Sequence, residues 1–222
     1  MKAVFKTAAP YLAGAMNLPA ENMETALRYF LPLYLVAFFA TAFCWRSFLV
    51  WKRTGVNPYV LGKKDTAHDY AGFLFRLTFL ACISVVTLYA LWPEGYQYLA
   101  PIYWLQWPIM VYLGAVLLMV SLIWILIAQA QMGTSWRIGI DTNRKTELVQ
   151  KGFYRWSRNP IFLGLRFTLL GLFLTLPSAA TLAILTLGNA LVQIQVRLEE
   201  EYLLKTHGEH YRAYCQRTRR WL

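Results

Sequence analysis

Residues 154–178 read YRWSRNPIFLGLRFTLLGLFLTLPS, an apolar run that directly follows a basic segment. Asn159 and Pro160 predict a helix start, because asparagine caps the first free amides and proline is preorganised for the first helical position. Pro177 cannot continue that helix, and Ser178 can cap another one. The stretch therefore predicts a tight hairpin of two apolar helices, about 160–176 and 179–197.

The chain as a whole is too apolar for an ordinary soluble domain. Of its 222 residues, 58% are hydrophobic and 15% are charged, whereas about 25% are charged in a typical soluble domain. Three more apolar stretches have about the 20 residues that a helix needs to cross a bilayer: 27–50, 71–92 and 107–130. We expect an all-α, polytopic membrane protein with about five transmembrane helices, divided into an N-terminal membrane region (1–130) and a C-terminal region (131–222).

The basic residues are distributed unevenly between the loops. Sixteen of the 22 lysines and arginines lie in segments 51–70 and 131–159 and in the tail from 197 onward, and loops 93–106 and 177–178 contain none. The positive-inside rule then predicts an outside N-terminus and a cytoplasmic C-terminus. The net charge of +11 is typical of lipid headgroup contacts in such a protein, so we expect membrane lipids and no nucleic acid as partners.

Two polar clusters should meet at one end of the hairpin. Arg155 and Arg158 flank a helix N-terminus, which can receive a carboxylate or phosphate or simply contact lipid headgroups. The glutamates at 199–201 call for a cationic partner, either the nearby arginines or a bound ligand. A pocket with anion donors at 155–160 and carboxylates at 199–201 suits a ligand that has a carboxylate, an amine and a positive centre. S-adenosylmethionine is such a molecule.

Within the hairpin, three residues stand out from the apolar background. Arg166 lies two turns past Asn159 and can either snorkel toward the cytoplasm or contact a substrate. Gly164 and Gly171, seven residues apart, place smooth backbone on one face for close helix packing, either within the hairpin or in a dimer.

The cysteines and histidines do not predict a metal site. Cys44, Cys82 and Cys215 form no metal-binding or disulfide pattern. His207 and His210 lack further ligands at a matching spacing, and His68, next to Asp69, is interpreted as a surface loop residue. We therefore expect no metal.

Two runs resemble a known superfamily. TELVQKGFYRWSRNPIFLG (146–164) and RLEEEYLLKTHGEHYRAY (197–214) are similar to the integral-membrane isoprenylcysteine carboxyl methyltransferases and phospholipid methyltransferases. The family pattern is Leu-Val, Gly-x-Tyr, Arg-His-Pro-x-Tyr-x-Gly and later Glu-Glu followed by Gly-Glu-x-Tyr. The resemblance covers about 131–214, and MGTSWRIGID at 132–141 is similar to bacterial members, so we expect a bacterial inner membrane protein.

The resemblance implies an S-adenosylmethionine site at the cytoplasmic end of the C-terminal helices, beside a substrate tunnel within the membrane. It also implies that Trp136 and Arg137 lie near the site entrance. The residues implied to bind the cofactor are Leu148, Val149, Tyr154, Asn159, Pro160, Ile161, Phe162, Glu199 and Glu200.

The chain departs from the family pattern at the acceptor side. Asn159 replaces the usual histidine and Phe162 the usual tyrosine. Gln195 stands where eukaryotic carboxyl methyltransferases have a substrate-binding arginine, and Arg197 is the candidate to replace it. We assign Arg158 and Arg197 as the catalytic arginines that orient the acceptor, and the substrate-contacting residues are predicted to be Arg166 and Gln195.

These observations predict methyl transfer from S-adenosylmethionine to a lipophilic acceptor in the membrane. Because the motif lacks histidine, an acceptor that is already ionised is favoured over a phospholipid amine that must lose a proton. Such an acceptor is a thiolate or, as the first choice, an isoprenylcysteine-like carboxylate. An NADPH-dependent sterol-type reductase and a transport or binding protein without enzymatic activity remain open as alternatives.

Overall fold

The computed structural model describes residues 20–59, 66–139 and 147–222. In this part of the chain the structure is helical and contains no strand. The α-helices of these residues, in chain order, are α1 (Ala20–Phe38), α2 (Arg46–Thr54), α3 (Ala67–Leu91), α4 (Pro108–Met132), α5 (Pro160–Thr175), α6 (Ala179–His207) and α7 (Glu209–Arg217).

Among the described residues, four helical segments are long and apolar enough to cross a membrane: Asn22–Thr54, Ala67–Leu91, Pro108–Ser135 and Ala179–His207. Helix α5 is apolar but has 16 residues, or about 24 Å, which is less than the roughly 30 Å of a hydrocarbon core. The predicted all-α, polytopic membrane fold is confirmed. The first segment of the predicted hairpin is a shorter helix than a full span requires.

The first membrane segment is not a uniform α-helix. A π-helical turn, Phe39–Trp45, joins α1 to α2, and the side-chain amide of Gln129 on α4 donates to the carbonyl of Ala42 inside that turn (3.0 Å). Arg46, the first residue of α2, is buried. It donates to the carbonyl of Gly133, just past the end of α4. A cation at the C-terminus of a helix is favoured by the helix dipole, so Arg46 fixes α2 to the end of α4.

Helix α5 is held against α4 by glycines on both helices. A Cβ atom added to Gly114 on α4 would lie 2.5 Å from Oγ1 and 2.7 Å from the backbone nitrogen of Thr175. One added to Gly171 would lie 3.1 Å from the carbonyl oxygen of Gly114. The predicted glycine face of α5 therefore serves close packing inside the chain, and it faces α4, not the hairpin partner α6.

The hairpin turn forms as predicted. Ser178 caps α6, with its hydroxyl accepting from the amide of Thr181 (3.2 Å) and its own amide donating to the Thr181 hydroxyl (3.1 Å). The amide of Ile102, in the connection before α4, donates to the carbonyl of Pro177 (2.8 Å). The opposite end of the bundle, where α4 ends and α5 begins, is called the basic end below.

Candidate ligand site at the basic end

An open cavity lies at the basic end between the α4–α5 connection, the start of α5, the end of α6 and α7. The resemblance named nine cofactor-binding residues, and eight of them line this cavity. They are Leu148, Val149, Tyr154, Asn159, Pro160, Ile161, Phe162 and Glu199. The structure thus brings together residues that are up to 51 positions apart in the sequence.

The segment that leads into α5 is fixed by contacts with α4 and α7. Gly152 has a φ of +63°, a conformation that favours glycine. The amide of Phe153 then donates to the side-chain oxygen of Gln131 (2.7 Å), and its ring stacks on Trp124 with centroids 4.0 Å apart. The Tyr214 hydroxyl donates to the carbonyl of Tyr154 (2.6 Å). These contacts set the backbone of the cavity wall.

A charged network closes the start of α5 against the end of α6. Arg158 donates from Nε and Nη2 to one carboxylate oxygen of Glu200 (3.2 and 3.1 Å), and Arg220 donates to the other oxygen (3.0 and 2.8 Å). Arg158 Nη1 donates to the carbonyls of Cys215 and Thr218 (3.3 and 2.7 Å). The C-terminal residues therefore take part in building the site.

The predicted capping role of the Asn159 side chain is wrong. Asn159 precedes α5, but its side chain makes no capping bond and its ψ is 53°, outside the extended range of an N-cap. Its amide donates to Glu200 (3.1 Å) and to the carbonyl of Arg220 (3.3 Å). A charged acceptor makes the stronger hydrogen bond, which explains the outcome. Pro160 does occupy the first helical position, and no side chain at the Asn159 position caps the first-turn amides of Ile161 and Phe162.

The three consecutive glutamates have different environments. Glu200 is in the internal network, and Glu201 is exposed and pairs with Lys205 (2.6 Å). Glu199 lines the cavity, and no described residue pairs with its carboxylate. The sequence offered internal arginines or a cationic ligand as partners for this run. Arginines pair with Glu200, whereas Glu199 lines the cavity with no partner for its carboxylate among the described residues.

Two tyrosine hydroxyls in the cavity wall are also unpartnered. The Tyr154 and Tyr211 hydroxyls are buried and make no hydrogen bond within the described part of the chain. Burial, and then the charge of Glu199, raise the pKa of Tyr154 well above its usual value. The Tyr154 phenol thus stays protonated and can donate a hydrogen bond to a ligand.

A second, smaller cavity lies within the bundle, and its surface is apolar. Its lining includes Phe75 on α3, Leu165 on α5 and Val192 on α6. The rings of Phe75 and Phe162 are 6.4 Å apart, and Phe162 lines the polar cavity. An aromatic pair thus lies between the polar cavity and the apolar one.

The arginines predicted to contact or orient the acceptor bind other groups of the protein. Arg158 lines the polar cavity, but its donors are used by the protein. Arg166 donates to Asn189 (2.6 Å) and lies 4.6 Å from the ring centroid of Trp221. Arg197 is exposed and donates to Gln193. Neither Arg166 nor Arg197 is among the residues that line the polar cavity.

The predicted entrance residues separate in the structure. Arg137 lines the cavity. Trp136 is buried, and its ring centroid lies 5.9 Å from the guanidinium carbon of Arg46. Trp136 therefore packs against Arg46 and is not exposed at the entrance of the cavity.

Two residues, Arg46 and His68, make contacts that the sequence did not lead us to expect. Arg46 could have been noticed as a cation inside an apolar run, the signal that drew attention to Arg166. The interpretation of His68 as surface loop is wrong, because it lies in the first turn of α3 and its Nε2 atom is buried. His68 Nδ1 and Gln195 Nε2 are 3.2 Å apart, a contact between α3 and α6 that sequence spacing does not reveal.

A helical membrane bundle with a polar cavity beside an apolar one is the architecture of a membrane protein that can hold a polar ligand next to a lipophilic one. Residues 108–210 match the family model described as phospholipid methyltransferase. That family lies within the superfamily that also contains the isoprenylcysteine carboxyl methyltransferases, so the predicted resemblance is confirmed over these residues. The match runs from α4 to the first turn of α7, and the family supports a membrane methyltransferase. A search of curated proteins returned no match.

Proposed function

We propose that the protein transfers a methyl group from S-adenosylmethionine to a lipophilic acceptor that reaches the site from the bilayer. The observation on which this rests is the carboxylate of Glu199. It has no partner among the described residues, and it faces a cavity that the uncapped start of α5 also lines. A single cavity therefore offers a site for a cation and a site for an anion.

The lining residues fit this cofactor. Glu199 would hold a positive group of S-adenosylmethionine, and the amides at the start of α5 would hold its carboxylate. The unpartnered hydroxyl of Tyr154 would donate to a polar atom of the ligand, and apolar walls at Leu148 and Leu203 suit the adenine ring. When bound, the cofactor supplies an activated methyl group whose leaving group needs no metal.

The main task of the protein would then be positioning. The Arg158–Glu200–Arg220 network holds the start of α5 against the end of α6, which keeps the anion and cation sites at a fixed separation. Holding two reactants in line can lower a reaction barrier by roughly 7–11 kcal/mol.

The sequence favoured a carboxylate acceptor such as an isoprenylcysteine-like group, and two observations favour a phospholipid amine as a second candidate. First, the arginines predicted to orient a carboxylate are engaged elsewhere: Arg158 binds Glu200 and backbone carbonyls, and Arg197 binds Gln193. Second, His68 lies beside Gln195, one helical turn from Glu199, so an imidazole is present near the site although the motif lacks one.

We place the protein in the bacterial inner membrane with its N-terminus outside and its C-terminus in the cytoplasm. The concentration of lysine and arginine in the segments at the basic end supports this orientation. In this arrangement the cofactor arrives from the cytosol, and membrane lipids supply the acceptor and surround the bundle.

The direct test is transfer of a tritiated methyl group from S-adenosylmethionine to a total bacterial lipid extract in proteoliposomes. We expect labelled lipid with the parent protein and a loss of labelling with Glu199→Gln. The matched control is Glu201→Gln, whose carboxylate is exposed and paired with Lys205. Labelling that is equal in all three proteins would contradict the placement of the cofactor. Oxidation of NADPH without methyl transfer would support the reductase alternative instead.

A further inference from the structure

We infer that an anionic phospholipid of the leaflet at the basic end binds on the outer side of the α5–α6 hairpin, with its phosphate on Arg166 beside Trp221. This inference goes beyond the proposed methyl transfer and does not depend on it.

Arg166 lies outside both cavities. It is half-buried, and neither it nor its two contacts, Asn189 and Trp221, are among the residues that line the polar or the apolar cavity. Its Nε atom donates to Asn189 of α6 (2.6 Å), and its guanidinium carbon lies 4.6 Å from the ring centroid of Trp221. A molecule bound here is therefore separate from the cofactor cavity and is not the methyl acceptor.

The charge of Arg166 is not neutralised within the described part of the chain. Of the nearby acidic side chains, Glu200 is bound by Arg158 and Arg220, and no described carboxylate pairs with Arg166. Its Nε atom is bound to Asn189, whereas its two Nη groups have no hydrogen bond to a described residue. A cation–π contact uses the face of the guanidinium and none of its N–H donors. An unpaired arginine along a membrane helix is costly, so an anion from outside the chain is the expected partner.

A polar stripe on α6 runs from this place toward the basic end. Asn189, Gln193 and Arg197 follow one another at four-residue spacing, so they share one side of the helix. Arg197 bends back along α6, because its Nη1 atom donates to the backbone and side-chain oxygens of Gln193 (both 2.8 Å). No carboxylate in the described ranges pairs with Arg197 either. Arg197 thus adds a second positive charge along the groove that holds Arg166.

The surface beside the stripe is apolar and open. Leu187 and Ile194 of α6 are 70% and 52% exposed. Arginine donors next to exposed apolar side chains match both parts of a phospholipid, since the guanidinium binds phosphate through paired N–H groups and the acyl chains cover the apolar surface. A free phosphate would use only the first part.

The short length of α5 brings the headgroups to the depth of Arg166. Helix α5 has 16 residues, and a span shorter than the hydrocarbon core thins the bilayer around it. Arg166 lies about 9 Å from the start of α5, and helical side chains point toward the N-terminus of their helix, which here is the basic end. Trp221 marks the same level, because tryptophan prefers the headgroup region.

Trp221 is held in place by the residues that precede it. The amide of Arg158 donates to the carbonyl of Arg219 (2.9 Å), and Arg220 binds Glu200 (3.0 and 2.8 Å). The binding place is therefore built from α5, α6 and the C-terminal residues, each fixed by contacts within the protein.

The test is a lipid titration of the full-length protein in a neutral detergent, read by thermal shift and by native mass spectrometry. The three probes are phosphatidylglycerol, phosphatidylcholine and sn-glycerol 3-phosphate. Phosphatidylcholine carries a cation that the arginines repel, and glycerol 3-phosphate supplies the phosphate without acyl chains.

Two variants change the proposed phosphate contact. Arg166→Gln removes the charge, and Arg166→Lys keeps the charge but loses the planar pair of donors. The matched control is Arg217→Gln, because Arg217 is exposed and its Nε atom donates to the carbonyl of Ala213 in its own helix (3.3 Å). Each variant is compared with its own melting temperature without lipid, so that a less stable variant still gives a readable shift.

We expect the parent to retain one phosphatidylglycerol and to melt at a higher temperature in its presence. Arg166→Gln should need at least tenfold more of this lipid for half of the maximal shift, Arg166→Lys should lie between it and the parent, and Arg217→Gln should match the parent. Phosphatidylcholine and glycerol 3-phosphate should give no saturable shift.

Three results would overturn the inference. An equal response to phosphatidylglycerol in the parent and in Arg166→Gln would exclude Arg166 from a lipid site. An equal loss in Arg217→Gln would show general attraction between the lipid and the basic surface. A shift with phosphatidylcholine or glycerol 3-phosphate as large as that with phosphatidylglycerol would contradict an anionic lipid as the occupant.

Discussion

Arg158, the residue before the α5 cap position, donates two hydrogen bonds to a single carboxylate oxygen of Glu200, near the end of α6. Both side chains are about nine-tenths buried. The bond joins the two ends of the hairpin at the rim of the polar cavity, and Glu200 is the predicted cofactor residue that does not line that cavity. Glu200 therefore has a structural role. The carboxylate of its neighbour Glu199 lines the cavity and is available to a ligand.

Glu200→Gln should lower the stability of the fold. Removing one charge of a buried pair leaves the arginines without their partner, which costs about 3–5 kcal/mol. For a chain of this size the lower figure corresponds to a fall of about 6–12 °C in the melting temperature. A thermal-shift measurement in detergent tests this, with Glu201→Gln as the control that should melt like the parent. A melting temperature for Glu200→Gln equal to that of the parent would show that the Arg158–Glu200–Arg220 network does not stabilise the fold.

Gly114→Ala should destabilise the α4–α5 contact. The added Cβ would lie 2.7 Å from the backbone nitrogen of Thr175, and a backbone atom cannot move aside as a flexible side chain can. Overpacking of this kind costs about 1–3 kcal/mol or more. The lipid-facing Val116→Ala on the same helix is the control. Equal melting temperatures for Gly114→Ala and the parent would contradict the observed closeness of the two helices.

Tyr154→Phe should weaken cofactor binding without weakening the fold. Its hydroxyl is buried and unpartnered, so its removal costs no internal hydrogen bond, whereas a lost bond to the ligand is worth about 0.5–1.5 kcal/mol, or roughly twofold to twelvefold in affinity. Calorimetry with S-adenosylhomocysteine measures the change. Tyr214→Phe serves as the contrast, because it loses the bond to the Tyr154 carbonyl and should lower the melting temperature. An affinity of Tyr154→Phe equal to that of the parent would exclude the hydroxyl from the site.

The helices and the hairpin could be predicted because their signals are local. Pro160, Pro177 and Ser178 mark helix ends by their own backbone chemistry, and apolar length predicts membrane helices. The Asn159 prediction was wrong because a distant carboxylate, Glu200, competes for its side chain. Capping propensity depends on neighbouring residues only, so it cannot predict a hydrogen bond to Glu200, 41 residues away.

The same limit applies to the site. The motif residues could be assigned to one cavity because the hairpin brings the start of α5 beside the end of α6. Arg46 on α2 and His68 on α3 contact other helices, and sequence spacing does not reveal those contacts. The spacing of Gly164 and Gly171 predicted that they share one face of α5. It could not predict that α4 packs on that face, because spacing within one helix carries no information about its neighbours.

The central claim is that Glu199 holds a cationic part of S-adenosylmethionine. Calorimetric titration of the detergent-purified parent and of Glu199→Gln with S-adenosylmethionine, with NADPH as the control ligand, tests it most directly. We predict saturable binding to the parent, no binding of NADPH, and an affinity at least about thirtyfold lower in Glu199→Gln, since losing one partner of a buried charge contact costs about 2–5 kcal/mol. Equal affinity in the two proteins, or binding of NADPH by the parent in place of S-adenosylmethionine, would contradict the claim.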